Sequence, residues 1–261
     1  MNKIFAIALN TYKEAVRNKV FYLILLFALI LLGVSLILAS LALGQDDQII
    51  KHIGLMAINI FGLMLSMFVG VNVVYEELDK RTIYTIIASG VTRTQFILGK
   101  FLGLFITVVA NIVIMGVLLC LLLWVWKDAS PSPSLIMAIF LMLFEMMIVT
   151  ALVVLFSSFS TPVLSAVLTF MCWIIGRMSE DLWEWSIRLI EQGAKGAAYL
   201  LRGLYFVLPN LAIYNVQNQV VHHEDIGSLG YVTFIYPLAG VVYAAILLWI
   251  ATVSFSGRDF K

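Results

Sequence analysis

The chain has 261 residues, 62% of them hydrophobic and 12% charged, with a formal net charge of +1 and a mean hydropathy of +1.04. That is more apolar than a globular core requires and makes lipid the expected solvent. The near-zero net charge, without a basic block carrying interleaved aromatics, sets nucleic-acid binding aside. The two cysteines, Cys120 and Cys172, have no CxxC or Cys/His spacing and suggest neither a disulfide framework nor a zinc site.

Ahead of the first apolar run, Phe5, Leu9, Tyr12 and Val16 recur at helical spacing, while Asn2, Lys13, Glu14 and Arg17 lie largely off that stripe. The pattern predicts a helix over residues 1–19 in the inner membrane interface, apolar face in the lipid boundary and cations near anionic headgroups. An ordinary cytoplasmic lead-in helix is the alternative. Six runs then reach or approach the roughly 20 residues that carry a helix across about 30 Å of hydrocarbon. They are Val20–Leu43, Ile53–Val74, Phe101–Trp126, Leu135–Phe156, the shorter Pro162–Gly176, and Tyr231–Phe255. The first is too long for a signal-peptide core and follows a segment with its own helical pattern, so it is read as a span.

The second run places Asn59, Gly62, Ser66 and Gly70 on one narrow small and polar face, and the fifth repeats this with Ser165, Thr169, Cys172 and Gly176. Such faces let helices approach closely, and helix packing is the commoner reading against a substrate path. Gly99 and Gly103 form a GxxxG at the inner end of the third run. Glu145, in the middle of the fourth, is an expensive charge in lipid and is expected to be neutral, paired or wetted. It is read either as a polar contact in a conduit or subunit seam, or as a protonated carboxyl hydrogen-bonded to a neighbouring helix.

Between the second and third runs, Tyr75–Lys100 is a charged insert. Glu76, Glu77 and Asp79 suit a helix N-terminus, Ile83, Ile86 and Ile87 form an apolar patch, and Gly90 ends the helix. Thr92-Arg93-Thr94-Gln95 has capping-box spacing for a second helix running into the third span, with Lys100 snorkelling to the inner interface. Residues 177–230 are too long for a connector. Leu182, Trp185 and Leu189 share one face, and Ala197, Leu200, Leu201, Leu204 and Leu208 another, so two amphipathic helices at the outer interface are expected. His222-His223-Glu224-Asp225 reads as a solvated turn, since adjacent residues diverge on any regular element.

Six spans put both termini on one side. Ten of the lysines and arginines fall there, against Lys51 and Lys127 in short loops and Arg177, Arg188, Lys195 and Arg202 in the long one. The positive-inside bias makes that side, with Tyr75–Lys100, cytoplasmic.

Catalytic patterns are lacking. A Walker A loop needs Gly-x-x-x-x-Gly-Lys-Ser/Thr, whereas Gly99-Lys100 is followed by Phe101 and preceded five residues earlier by Thr94. Neither a Ser/His/Asp set nor HExxH points to a hydrolase, so no catalytic residue is assigned.

The order Glu77, Thr82, Arg93, Gly99-Lys100 resembles the cytoplasmic loop of type-2 ABC exporter permeases, departing at Arg81, where glycine is usual, and at Val91, where proline is common. Leu208-Pro209-Asn210 and the terminal Phe255, Arg258, Asp259 and Phe260 extend the resemblance over nearly the whole chain, closest to the permease branch associated with maturation of multicopper enzymes. The resemblance implies an all-α permease domain over residues 1–261 in the inner (plasma) membrane, working beside a second permease copy or homologue. Two cytoplasmic ATPase subunits would bind ATP and Mg, and this chain no cofactor or metal of its own. It further implies that residues 75–100 carry a coupling helix, with Glu76, Glu77, Asp79, Arg81, Thr82 and Arg93 as the ATPase contact, and that residues 177–230 form re-entrant outer helices. Asn59, Gly62, Ser66, Glu145, Ser165 and Thr169 are the candidate translocation or packing face. Two other readings stay open: a permease that transmits motion to an extracytoplasmic partner without carrying solute, and a stand-alone carrier or channel using Glu145.

Overall fold

In the computed structural model, residues 3–41, 46–79, 91–127, 132–221 and 231–256 are described. Helices α1 (Lys3–Arg17), α2 (Lys19–Leu41), α3 (Asp46–Asp79), α4 (Arg93–Lys127) and α5 (Pro133–Phe159) come first. They are followed by α6 (Pro162–Arg177), α7 (Ser179–Glu191), α8 (Lys195–Val207), a 3-10 turn at Ala212–Tyr214, α9 (Gln217–Val221), a π-helical turn at Tyr231–Ile235 and α10 (Tyr236–Ser256). No strand occurs among the described residues.

Helix starts and stops follow local chemistry. Ser132 caps α5 by accepting a bond from Leu135 N at 3.3 Å, and Pro133 occupies the first turn, where its missing N–H costs nothing. At the start of α4 both halves of the capping box form. Gln95 N donates to Thr92 Oγ1 at 3.3 Å and Thr92 N donates to Gln95 Oε1 at 3.2 Å. Helix α7 ends in a Schellman turn: Ala194 N donates to Leu189 O, Gly193 N donates to Ile190 O, and Gly193 takes φ +81°, which glycine adopts without a Cβ penalty.

Among the described residues, five helices, α2 to α5 and α10, are long and apolar enough to cross a membrane, and the number rises to seven if each of two bent helix pairs is one span. The expected fifth span is one of those pairs: α6 stops at Arg177 and the chain bends by 68° into α7. Its 16 residues reach roughly 24 Å, short of a full crossing. A second correction concerns the insert. Glu76, Glu77 and Asp79 do not open a new helix; α3 runs unbroken through Asp79, so they occupy its last turns. No Gly or Pro stands between Val69 and Asp79 except Gly70, and a lone glycine does not stop a helix this long. Arg81, Thr82 and the rest of residues 80–90, like His222–Asp225 and Arg258–Phe260, lie outside the described residues.

Helix α5 is the axis of the bundle, packed by α3, α4, α6 and α10. Every residue from Glu145 to Leu155 is buried, and 72% of its apolar window is enclosed against 28% for α2 and 33% for α10. The outer two turn rows such as Tyr22, Leu26, Phe27 and Ile30, or Val241, Ile246 and Trp249, away from the protein, as lipid-facing helices do. Because lipid is as apolar as leucine, close backbone approach has to hold such a bundle together. The GxxxG of α4 supplies it for α1: a Cβ at Gly103 would stand 2.5 Å from Ala8 O, and one at Gly99 2.7 Å from Ile7 Cβ. Helix α1 therefore buries Ala8, Thr11 and Ala15 on α4 and leaves Phe5 and Leu9 exposed, with Tyr12 and Val16 half-buried beside them. Lys100 is buried in this joint, its Nζ 3.5 Å from Glu14 Oε2, rather than snorkelling freely.

Candidate functional site

Helices α3 and α5 run in the same direction and meet along the small-residue face of α3. Gly62 lies against Met146, with a Cβ there 3.5 Å from Met146 Sδ; Ser66 Oγ and Thr150 Oγ1 are 3.4 Å apart; and Gly70 faces Val153. At the N-terminal end of the row, Asn59 Nδ2 donates to Glu145 Oε2 at 2.8 Å. This face is thus a packing seam with α5, the commoner of the two readings.

Glu145 is fully buried, and both its oxygens are engaged. Oε1 accepts from Trp173 Nε1 and from Arg177 Nη1, each at 2.9 Å. The same Nη1 donates to Asn59 Oδ1 at 2.9 Å, so the Asn59 amide bridges the ion pair, nitrogen to the carboxylate and oxygen to the guanidinium. Trp173 stands one turn before Arg177 on α6, and the guanidinium carbon lies 5.4 Å from its ring centroid, a cation–π contact that further stabilises the cation. Three helices converge on one node: Asn59 from α3, Glu145 from α5, and Trp173 with Arg177 from α6. A charge in this setting persists only when paired and bonded, and the paired outcome of the three expected for Glu145 is the one found.

Ser165 and Thr169 stay apart from the node. Thr169 Oγ1 bonds Ser165 O on its own helix, and Ser165 Oγ is buried without a partner. At Gly176 the face continues into the segment that follows α8: a Cβ there would meet Pro209 O at 2.7 Å, and Leu211 N donates to Gly176 O at 2.9 Å. Ser179 Oγ donates to Asn210 Oδ1 at 2.5 Å, so Leu208-Pro209-Asn210 is the clip that returns the chain to the α6–α7 bend.

The hairpin α7–α8 differs in detail from expectation. Its buried side chains are Ser179, Leu182, Ser186 and Ala198, while Trp185 and Leu200 face outward. Small residues let the two helices approach, and Arg202 seals the pair over the Trp183 ring at 5.2 Å. Both faces fit an amphipathic hairpin that turns its large apolar groups away from the protein.

Of the expected ATPase contact, Glu76, Glu77 and Asp79 sit on the last turns of α3. Arg93 Nη1 reaches Phe255 O at 3.4 Å and Phe96 stacks on the Phe255 ring at 5.9 Å, so the root of α4 is fastened to the last turns of α10. Sequence reasoning missed Arg177, which it counted with the outer loop. The signal lay in the length of α6: an apolar run of 16 residues, short for a crossing, ends on a cation. Among the described residues, no three of His, Cys, Asp and Glu gather to hold a metal ion. No family model matches the chain, and no curated protein matches it.

Proposed function

We propose that this chain is the membrane-spanning permease subunit of an ATP-driven ABC transporter, an exporter paired with a second permease copy or homologue and driven by two cytoplasmic ATPase subunits. The observation that carries the reading is the construction at the inner root of α4. There the capping box of Thr92 and Gln95, the Arg93 bond to Phe255 O, the Lys100–Glu14 pair and the glycine contacts with α1 fasten three helices at the exit of the charged insert. A joint of this kind transmits a push that a flexible connector absorbs. The ordered set Glu77, Thr82, Arg93 and Gly99-Lys100 supports the same reading.

A purely mechanical permease, acting on an extracytoplasmic partner without carrying solute, is favoured as the second reading by the Arg177 node, which ties the outer hairpin to the bundle centre. In the carrier or channel reading Glu145 would have to leave these partners, since both its oxygens are bonded.

The test is charge reversal in the assembled complex in native membranes. Glu77→Lys is expected to uncouple ATP hydrolysis from transport, and Glu180→Lys, an exposed position on α7, to leave coupling intact. Equal coupling in both variants removes the assignment of the contact.

A further inference from the structure

The bend between α6 and α7 stands at the foot of an unusual substructure. From Leu211 onward the outer chain is pinned: Leu211, Tyr214, Val216, Val220 and Val221 are buried, Tyr214 Oη donates to Tyr236 O at 2.9 Å, and Gln217 Nε2 donates to His52 O at 2.8 Å. The hairpin before it is the reverse, burying four side chains over its two helices. It stands on two feet. One is the α6–α7 bend, with the Gly176–Leu211 and Ser179–Asn210 bonds; the other is Val207 O, which accepts from Tyr243 Oη at 3.0 Å.

The first foot carries the charge. Arg177, the last residue of α6, faces Glu145 from α5 and Asn59 from α3 through one nitrogen. Asn59 lies on the helix that continues unbroken to Asp79, 20 residues or roughly 30 Å further along. An axial shift or rotation of α3 relative to α5 would separate the two acceptors of Arg177 and break the Asn59–Glu145 bond that joins them. Interfaces between packed helices switch between discrete arrangements rather than deform continuously.

We propose that Arg177 is a latch. Bound to Glu145 and Asn59, it fixes the 68° bend and holds the hairpin of residues 179–207 in one orientation; withdrawn, it frees the hairpin to swing on its two feet. The latch stands on the geometry alone and does not require the ATPase-coupled reading, so failure of either leaves the other testable.

The measurement is a spin-label distance distribution on the full chain in lipid nanodiscs, with Cys120 and Cys172 replaced by alanine. Labels go at Gln192→Cys, at the exposed hairpin tip, and Leu238→Cys, on the exposed outer end of α10. The parent is expected to give one narrow distribution, and Arg177→Gln and the double variant Arg177→Gln/Glu145→Gln a broadened or shifted one. The double variant leaves no uncompensated charge. A merely structural ion pair predicts that it recovers both the parent's melting temperature and its narrow distribution, and that result overturns the latch. If neither neutral variant folds, Asn59→Ala removes one acceptor while keeping the charges balanced; it is expected to broaden the distribution, and an unchanged width overturns the proposal equally.

Discussion

Arg177 Nη1 lies 2.9 Å from Glu145 Oε1, joining the end of a helix too short by itself to cross a membrane to the middle of the most enclosed of the candidate spans among the described residues. Removing one partner of such a pair leaves a bare charge in the bundle, at a cost of about 3–5 kcal/mol, whereas removing both is close to neutral. Thermal unfolding in detergent is expected to place Glu145→Gln and Arg177→Gln well below the parent and the double variant near it. Additive losses in the double variant would mean that the two residues act separately.

Asn111 is fully buried on α4 with neither amide atom bonded to another protein group. An unsatisfied buried polar group costs about 1–3 kcal/mol, and leucine is of similar size and has nothing to satisfy. Asn111→Leu is expected to raise the melting temperature; a fall would show that the amide has a partner worth keeping.

Gly103→Ala sets a Cβ 2.5 Å from both Ala8 O and Thr11 Cβ, and backbone cannot yield as a flexible side-chain tip does. Overpacking of this kind costs about 1–3 kcal/mol and is expected to lift α1 off α4, read as faster proteolysis within residues 3–17. Gly33→Ala, with nothing within 4 Å, is the control and is expected to leave α1 protected.

Thr92→Ala removes the hydroxyl that accepts from Gln95 N, a cap worth about 1 kcal/mol. Amide exchange over the first turn of α4 is expected to speed up while exchange in the middle of that helix stays unchanged.

What was legible in the sequence is local. The Thr92–Gln95 box, the helical stripe of α1, the small-residue face of α3 and five of the six apolar runs all rest on residues within a turn or two of each other, and the structure has them as helices; the fifth run is the exception, ending at the 68° bend. Glu145 was legible as a problem needing a partner. The partner was not, because Arg177 is 32 residues away beyond two helix ends, and spacing carries no information across a bend. The unbroken passage of α3 through Glu76, Glu77 and Asp79 was hidden for a related reason: acidic residues favour a helix start only where a helix has not already begun. The outward turn of Leu200 and Trp185 reflects lipid, which rewards apolar groups on the outside and leaves the close contacts to serine and alanine.

The central claim is that this chain receives its driving force from a separate ATPase, and affinity purification of the tagged full-length chain from its native membranes tests it most directly. The account predicts that a nucleotide-hydrolysing cytoplasmic protein co-elutes in equal proportion to the chain, that the eluate turns over ATP, and that Glu77→Lys weakens both. A chain that elutes without such a partner, in an eluate that hydrolyses no ATP, would contradict it.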